Sequence, residues 1–276
     1  MTTINIGVVG AGFVGGAIIR AFSGYQPIHV YDLGKKIGSL DEVVENAKVI
    51  FVCLPTPENA DGTCNTDIVR GALLDIDHLV TAKGLAHKEV IIKSTCHPLF
   101  FQEMQKQLKS IELLYMPEFL TARTADLDFI NSNRFIIGAE SGVGLARPGH
   151  AYLLFRYRFP GAPIHFMTWE EAAMVKYVTN NFFVTKVSFF NEVHEMCEML
   201  NIDSNKVIGE VLNDGRIGRS HFQVPGPDGK LGFGGACFPK DSSAFVKLAE
   251  ELGCHADIVK AAKKVNKRVR DKAPQT

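Results

Sequence analysis

The sequence is poor in several things, and each shortage excludes something. It has no excess of charge: 30 Lys plus Arg stand against 30 Asp plus Glu in 276 residues. No global field therefore draws it to nucleic acid or to an anionic membrane. Its six cysteines, Cys53, Cys64, Cys96, Cys197, Cys237 and Cys254, contain no Cys-x-x-Cys pair. A zinc or thioredoxin-like site is not signalled, and no metal is expected. In a chain this large they read as thiols of a reducing compartment. Long apolar runs are also scarce. The uncharged stretch 4–19 has no Lys or Arg before it and holds Gly7, Gly10, Gly12, Gly15 and Gly16. A secretory segment needs a basic start and a helical apolar run, so a strand followed by a glycine turn explains the stretch better. No other segment is a candidate membrane span. The expectation is a cytoplasmic protein with neither a membrane nor a nucleic-acid partner. Low-complexity tracts and internal repeats are missing as well.

What is present is 46% hydrophobic residues, enough for one large core or two smaller ones. Through the first half, short β-branched runs at 4–9, 28–31, 49–52, 90–92 and 135–137 alternate with polar or helical stretches. That alternation indicates a parallel, doubly wound sheet. Near Thr168 the pattern changes. Residues 169–202 hold no Gly and no Pro, which predicts one helix far longer than the usual three turns. Its middle is apolar on most faces and should be largely covered. Further helical patterns fit 204–213, 242–252 and 256–270, with a glycine-rich loop at 226–235. Two domains follow from this: 1–168, the sheet, and 169–276, an all-helical domain built on the long helix.

The first strand runs into Gly10-Ala11-Gly12-Phe13-Val14-Gly15. In such a turn the first glycine permits the tight bend, the second lets a pyrophosphate approach the backbone, and the third lets the helix pack on the strand. Free N–H groups at the helix start receive the anion. Asp32 closes the second strand 22 residues after Gly10, where a carboxylate accepts ribose hydroxyls and repels a 2′-phosphate. Together these make the sheet a Rossmann-type domain and favour NAD over NADP, with Lys35 and Lys36 close behind as the contrary sign. Cofactor positions are thus Gly10, Gly12, Phe13, Val14, Gly15, Asp32 and Lys35. The structural alternative is a glycine-rich core turn beside a surface aspartate.

The most informative segment is Phe233-Gly234-Gly235-Ala236-Cys237-Phe238-Pro239-Lys240-Asp241. Two glycines and a proline shape a backbone that holds a cysteine between aromatics. The thiol is either an inert core group or a nucleophile activated by Lys240 or the following helix. Asp241 is either a charge at the start of that helix or part of the same chemistry. On the long helix, Lys176 and Asn180 stand four apart and share a face, with Asn191 roughly along the same stripe. In apolar company such groups need partners. Snorkelling or helix packing competes with catalysis as the explanation.

These pieces together resemble the UDP-glucose/GDP-mannose dehydrogenase family, over nearly the whole chain. The marks are Gly-Ala-Gly-Phe-Val-Gly (10–15), Phe-Val-Cys-Leu-Pro-Thr-Pro (51–57), Lys-Ser-Thr (93–95), Pro-Glu-Phe-Leu (117–120), Lys176-x-x-x-Asn180, Asn-Glu (191–192), Arg-Ile-Gly (216–218) and Gly-Gly-Ala-Cys-Phe-Pro-Lys-Asp (234–241). The resemblance implies a four-electron oxidation of a nucleotide-sugar alcohol to an acid with two NAD. UDP-glucose is the first choice of substrate; GDP-mannose and UDP-N-acetylmannosamine stay open. By the same resemblance Cys237 is the nucleophile that captures the aldehyde, and Lys176 and Asn180 stabilise oxyanions and touch substrate. Asp241 assists proton transfer through water, Glu118 is a general acid/base, and Thr95 orders water beside the cofactor. Pro55 and Thr56 join the cofactor set. Phe119, Leu120, Phe233 and Gly234 contact substrate. Arg216 is offered to the neighbouring subunit's active site as a substrate-binding residue, which implies a homodimer built on the long helix.

Two departures accompany the resemblance. A second glutamate, usual four positions after the one matching Glu118, is here Ala122. The chain also stops soon after Asn266-Lys267-Arg268, where the family's third domain begins. The basic run Lys260, Lys263, Lys264, Lys267, Arg268, Arg270 and Lys272 reads as a solvated helix face, with a contact to substrate phosphates or a partner as the alternative. Two rival functions remain. One is a two-domain 3-hydroxyacid dehydrogenase, which needs one hydride transfer and no thiol. The other is an NAD-binding protein without full activity.

Overall fold

The structure is a computed structural model that describes residues 3–121, 124–140 and 149–271; Ala122 and Lys272 lie outside the described residues. The chain forms two compact units. The first comprises Met1–Pro57 and Asn65–Lys176, the second Glu58–Cys64 and Tyr177–Thr276.

In the first unit strands and helices alternate: β1 (Ile6–Val9), α1 (Phe13–Phe22), β2 (Ile28–Tyr31), α2 (Leu40–Asn46), β3 (Val49–Val52), α3 (Asp67–Ala82), β4 (Lys88–Ile92), α4 (Phe100–Gln105), β5 (Ile111–Tyr115), α5 (Ala125–Ile130), β6 (Phe135–Ala139), α6 (His150–Arg158) and β7 (Ile164–Thr168). The strands form one sheet in the order β2-β1-β3-β4-β5-β6-β7. Both faces are covered, which is why the strands are rich in Val and Ile. Along β3, Ile50 and Val52 enter one core with Leu73, Phe100 and Trp169. Val49 and Phe51 enter the other with Phe22, Phe129 and Phe155. Each such fully buried side chain contributes roughly 1.5–3 kcal/mol.

The sheet departs from the wholly parallel expectation at one seam. β6 pairs antiparallel to β5 through Tyr115 and Gly138, while β7 runs parallel to β6. An antiparallel neighbour starts at the edge where its predecessor ends. Pro117–Leu120 follow β5 directly and so lie at its carboxyl end. The strand order reverses at β1. That carboxyl edge is where ligands bind in open α/β sheets.

The second unit is helical. It takes α7 (Trp169–Met199) from Tyr177 onward, then α8 (Ser204–Val211), α9 (Phe238–Glu251) and α10 (Asp257–Arg270). α7 has 31 residues, a rod about 46 Å long. A small core of Phe190, Ile208, Leu212 and Val224 packs α7 on α8. A second core joins Val184, Phe233 and Ala262. Within the described residues, no helix is long and apolar enough to cross a membrane.

Candidate active site

In the first unit the glycine turn sits between β1 and α1, and its three glycines have different reasons to lack a side chain. Gly10 has φ +91°, and a Cβ there would meet the Cys53 carbonyl oxygen at 2.5 Å. A Cβ on Gly15 would stand 1.9 Å from the Gly10 oxygen, whereas one on Gly12 would have nothing within 4 Å. The first and third glycines thus make the turn compact, and the second leaves open space above it. α1 begins after Gly12 with no side-chain cap, so its first amides remain available to an anion. Phe13 is exposed.

Asp32 is tied to this turn. Its carboxylate accepts the Lys35 amide at 2.8 Å and the Ala11 amide at 2.7 Å. Those two hydrogen bonds hold its pKa below the ordinary carboxylate value, so it stays anionic. Lys35 turns its ammonium onto the Ala11 carbonyl at 2.5 Å. Of the two lysines that gave the contrary sign, Lys35 is thus engaged in bracing the turn. Open space over Gly12, uncapped helix amides and a fixed carboxylate fit the pyrophosphate and ribose of NAD.

The loops after β3, β4 and β5 bring the next candidates to the same edge. Pro55 is exposed and Thr56 buried, and Thr95 is half-buried. Ser94 binds both the amide and the carbonyl of Leu54, at 2.9 and 2.6 Å, and so locks the first two loops together. Glu118 is held at both oxygens. Oε1 faces the Lys176 ammonium at 3.2 Å, and Oε2 accepts the Leu120 amide at 2.8 Å. Lys176 also donates to the Glu118 backbone carbonyl at 2.6 Å. The Phe119 ring lies 5.6 Å from the Lys176 ammonium and 5.5 Å from the Arg134 guanidinium. Glu118, Phe119 and Leu120 line a cleft of about 320 Å³. Lys93, which the sequence reading leaves without a role, lines it too.

In the second unit α9 begins at Phe238, four residues earlier than the apolar pattern indicates. The proline does not break this helix, because Pro239 falls in the first turn, where a missing N–H costs nothing. Cys237 is consequently the N-cap residue of a 14-residue helix, and it is exposed. The positive end of a helix favours a thiolate. Cys53 is the contrasting case: in the first unit, desolvation pushes its thiol up to about 12, despite the Lys93 charge.

Beside the thiol runs a chain of polar groups centred on a buried carboxylate. Asp241 is 1% exposed. Its Oδ2 accepts from the Asn180 amide at 2.5 Å, and its Oδ1 from the Lys240 ammonium at 2.7 Å. Burial works against the Lys240 charge, but Asp241, Cys64 and Cys237 outweigh it and leave that pKa raised. Lys240 thus remains a cation near the Cys237 sulfur.

The glycine loop is moulded on other residues. Asn191 accepts the Gly232 amide at 2.8 Å, Asn266 accepts the Phe233 amide at 2.6 Å, and Arg270 donates to the Phe233 carbonyl at 2.7 Å. A Cβ on Gly234 would lie 2.3 Å from the Arg270 guanidinium, so that glycine makes room for the arginine. The Phe233 ring is in the core. Arg270 also pairs with Asp228 at 2.9 Å, and Arg268 with Glu195 at 2.8 Å. The basic run is therefore only partly a solvated face. Sequence spacing carries no signal for this inward role, because the partners lie more than 30 residues apart. Arg216 is exposed and grips Asp214 with two nitrogens, Nε at 2.9 Å and Nη2 at 2.5 Å. His221, another residue the sequence does not single out, stacks on Phe183 at 3.8 Å and lies 5.5 Å from the Phe238 ring.

A dinucleotide-binding sheet unit followed by a helical unit that presents a thiol at a helix start is the class defined by these features. The chain belongs to the UDP-glucose/GDP-mannose dehydrogenase family. The model of that family's NAD binding domain matches residues 33–152, and that of its central domain matches residues 170–268. The chain is 29% identical over 234 residues to the UDP-glucose 6-dehydrogenase TuaD of Bacillus subtilis, covering 84% of this chain and 49% of the relative. It thus spans about half the length of that curated relative. A solved UDP-glucose dehydrogenase from the hyperthermophilic archaeon Pyrobaculum islandicum superposes with a TM-score of 0.83 at 28% identity, over 97% of this chain and 68% of that one. The Mycobacterium tuberculosis 3-hydroxyisobutyrate dehydrogenase shares the fold alone, with a TM-score of 0.74 at 17% identity, over 97% of this chain and 94% of that one.

Proposed function

We propose that the protein oxidises the primary alcohol of a nucleotide sugar to the carboxylic acid, UDP-glucose to UDP-glucuronate in the first instance, with Cys237 as covalent nucleophile. The observation that carries this reading is an exposed thiol at the N-terminus of α9, next to the buried Asp241 that joins Lys240 and Asn180. NAD, when bound, accepts a hydride from the substrate carbon in each of two oxidations. Gly10, Gly12, Phe13, Val14, Gly15, Asp32, Lys35, Pro55, Thr56 and Thr95 are assigned to holding it.

After the first oxidation the Cys237 sulfur adds to the aldehyde carbon and its oxygen takes up a proton, giving a thiohemiacetal. The second oxidation leaves a thioester and releases that proton. Water then adds to the thioester carbon, the carbon–sulfur bond breaks, and the thiol regains its proton as the acid departs. Lys176 and Asn180 stabilise the oxyanions that form along the way. Glu118 exchanges protons with the alcohol and with the attacking water, and Asp241 relays protons through water. Thr95 orders that water. Phe119, Leu120, Phe233 and Gly234 are assigned to the substrate.

The assay is a panel of UDP-glucose, GDP-mannose and UDP-N-acetylmannosamine with NAD, read as NADH released per substrate consumed. Two NADH per substrate are expected. One NADH per substrate would point to a single-step dehydrogenase, and no release with any sugar would defeat the reading.

A homodimer built on α7 belongs to the same proposal. Val178, Phe182, Phe189, Met196 and Met199 are 53%, 63%, 57%, 65% and 87% exposed, and they recur at helical spacing. An apolar stripe of this length on a helix calls for cover, and a second copy presents the same stripe in return. Arg216 would then serve the neighbouring subunit. Sedimentation showing only monomer at micromolar concentration would count against this.

A further inference from the structure

At the carboxyl ends of three adjacent strands, four ionisable side chains are gathered inside the first unit. Cys53 follows β3, Lys93 follows β4, Glu118 comes three residues after β5, and Lys176 reaches in from α7. The proposed reaction uses Glu118 and Lys176 and leaves Lys93 unexplained. Lys93 is 5% exposed. Its amide continues the sheet by donating to the Val52 carbonyl at 2.9 Å. Its ammonium makes one long hydrogen bond, 3.4 Å, to the carbonyl of Pro117, the residue before Glu118. An ammonium has three protons to donate, and burying it with so little compensation is costly. A lysine kept only for folding would be better replaced by an apolar side chain of similar length.

We propose that Lys93 is a positioning residue for Glu118, a second buried cation that holds the 117–120 loop by the Pro117 carbonyl and, with Lys176, sets the charge around the Glu118 carboxylate. The inference rests on the proposed reaction. Its chemical content is a charge count. Two ammonium groups against one carboxylate leave an excess positive charge where an oxyanion develops, and a fixed charge there lowers the barrier. The groups that face Lys93 are Glu118, Cys53 and Lys176, and Asp128 and Arg134 line the same cleft. Cys53 stays a neutral thiol. Desolvation brings the Lys93 pKa down to about 8, against the opposing pull of Glu118. The excess charge is therefore present at neutral pH and is lost as pH rises through about 8.

The test uses Lys93→Met and Lys93→Arg in the full chain. With the best nucleotide sugar, Lys93→Met is expected to lower kcat at pH 7 by roughly tenfold or more, with KM for NAD changed less than about twofold. The fall in rate centred near pH 8 in wild type should vanish from Lys93→Met and persist, at higher pH, in Lys93→Arg. An unchanged kcat and pH profile in Lys93→Met overturns the proposal. A second measurement does not depend on turnover. In carbon-13-lysine spectra Lys93 should titrate near pH 8, and Glu118→Gln should move that titration to lower pH, since it removes the facing negative charge. A Lys93 titration that Glu118→Gln leaves in place overturns the proposal even if Lys93→Met fails to fold. If wild type reduces no NAD with any sugar, the reaction is wrong, and the same pair of spectra still decides whether Lys93 and Glu118 are coupled.

Discussion

Gly12→Ala and Gly15→Ala should both abolish NAD binding, yet only one should damage the fold. At Gly15 the new methyl would stand 1.9 Å from the Gly10 oxygen. That partner is backbone, so the turn and α1 must separate by about 1.1 Å before the contact reaches even 3.0 Å. Overpacking of this kind costs about 1–3 kcal/mol or more, against about 1 kcal/mol recovered from the better helix propensity of alanine. Because the clash is with backbone, the upper end of that range applies, and the net loss of about 2 kcal/mol corresponds to a Tm lowered by roughly 4–8 °C. At Gly12 nothing lies within 4 Å of the new methyl, and its φ of −73° requires no left-handed backbone. Replacing glycine by alanine at an N-cap costs about 1 kcal/mol or less, so Tm should stay within roughly 2–4 °C of wild type. The methyl nevertheless occupies the open space assigned to the pyrophosphate. Differential scanning calorimetry and calorimetric NAD titration of the two variants make the comparison. Gly12→Ala binding NAD as tightly as wild type would refute the reasoning, because the space above Gly12 would then lie off the cofactor's path.

Lys93→Met should stabilise the protein at pH 7. A lysine whose folded pKa is about 8 against an ordinary 10.5 destabilises the fold fully below pH 8, and the cost disappears as pH rises from 8 to 10.5. The linkage is worth about 3 kcal/mol at most; Tm curves of the two proteins should converge above about pH 10, and a wild type that is the more stable at pH 7 would contradict this. Cys237→Ser should block conversion of the sugar-nucleotide aldehyde to acid far more than formation of the first NADH; equal acid formation by the variant would remove Cys237 from the chemistry. Asp32→Asn should weaken NAD and narrow the preference over NADP, measured by calorimetry, since it takes away the charge that repels a 2′-phosphate; an unchanged ratio would clear Asp32 of that role. Phe182→Lys with Phe189→Lys should yield monomer in sedimentation, and an intact dimer would place the contact elsewhere.

The sheet is legible wherever strands are buried on both faces, because β1, β3 and β4 are then short runs of Val and Ile with no competing pattern. β5 and β7 are not. Glu112 interrupts the first, and the second lies at the sheet edge, partly exposed, with His165 and Thr168. The antiparallel seam cannot be read locally, since strand direction depends on where the intervening chain travels. The length of α7 is legible from its lack of Gly and Pro. The start of α9 is misplaced by the sequence pattern because a proline reads equally well as a loop residue, and that difference decides the surroundings of Cys237. Of the site, Asp241 and Asn180 are recognisable from motifs, but their hydrogen bond is not foreseeable. The inward placements of Asn266, Arg270 and Lys93 are hidden too, since a polar residue in a sequence looks the same whether it meets water or the backbone.

The way the glycine loop rests on α10 also sets an order of events during synthesis. Phe233 is made 37 residues before Arg270 and 33 before Asn266. Until those two side chains arrive, the loop has neither the acceptor for its Phe233 amide nor the donor for its Phe233 carbonyl. Gly232 and Gly234 have nothing yet to make room for. A nascent chain that has already folded its sheet, as chains do from the N-terminus, thus carries Cys237 on an unshaped loop. The loop that carries Cys237 therefore takes its shape only after α10 has been made.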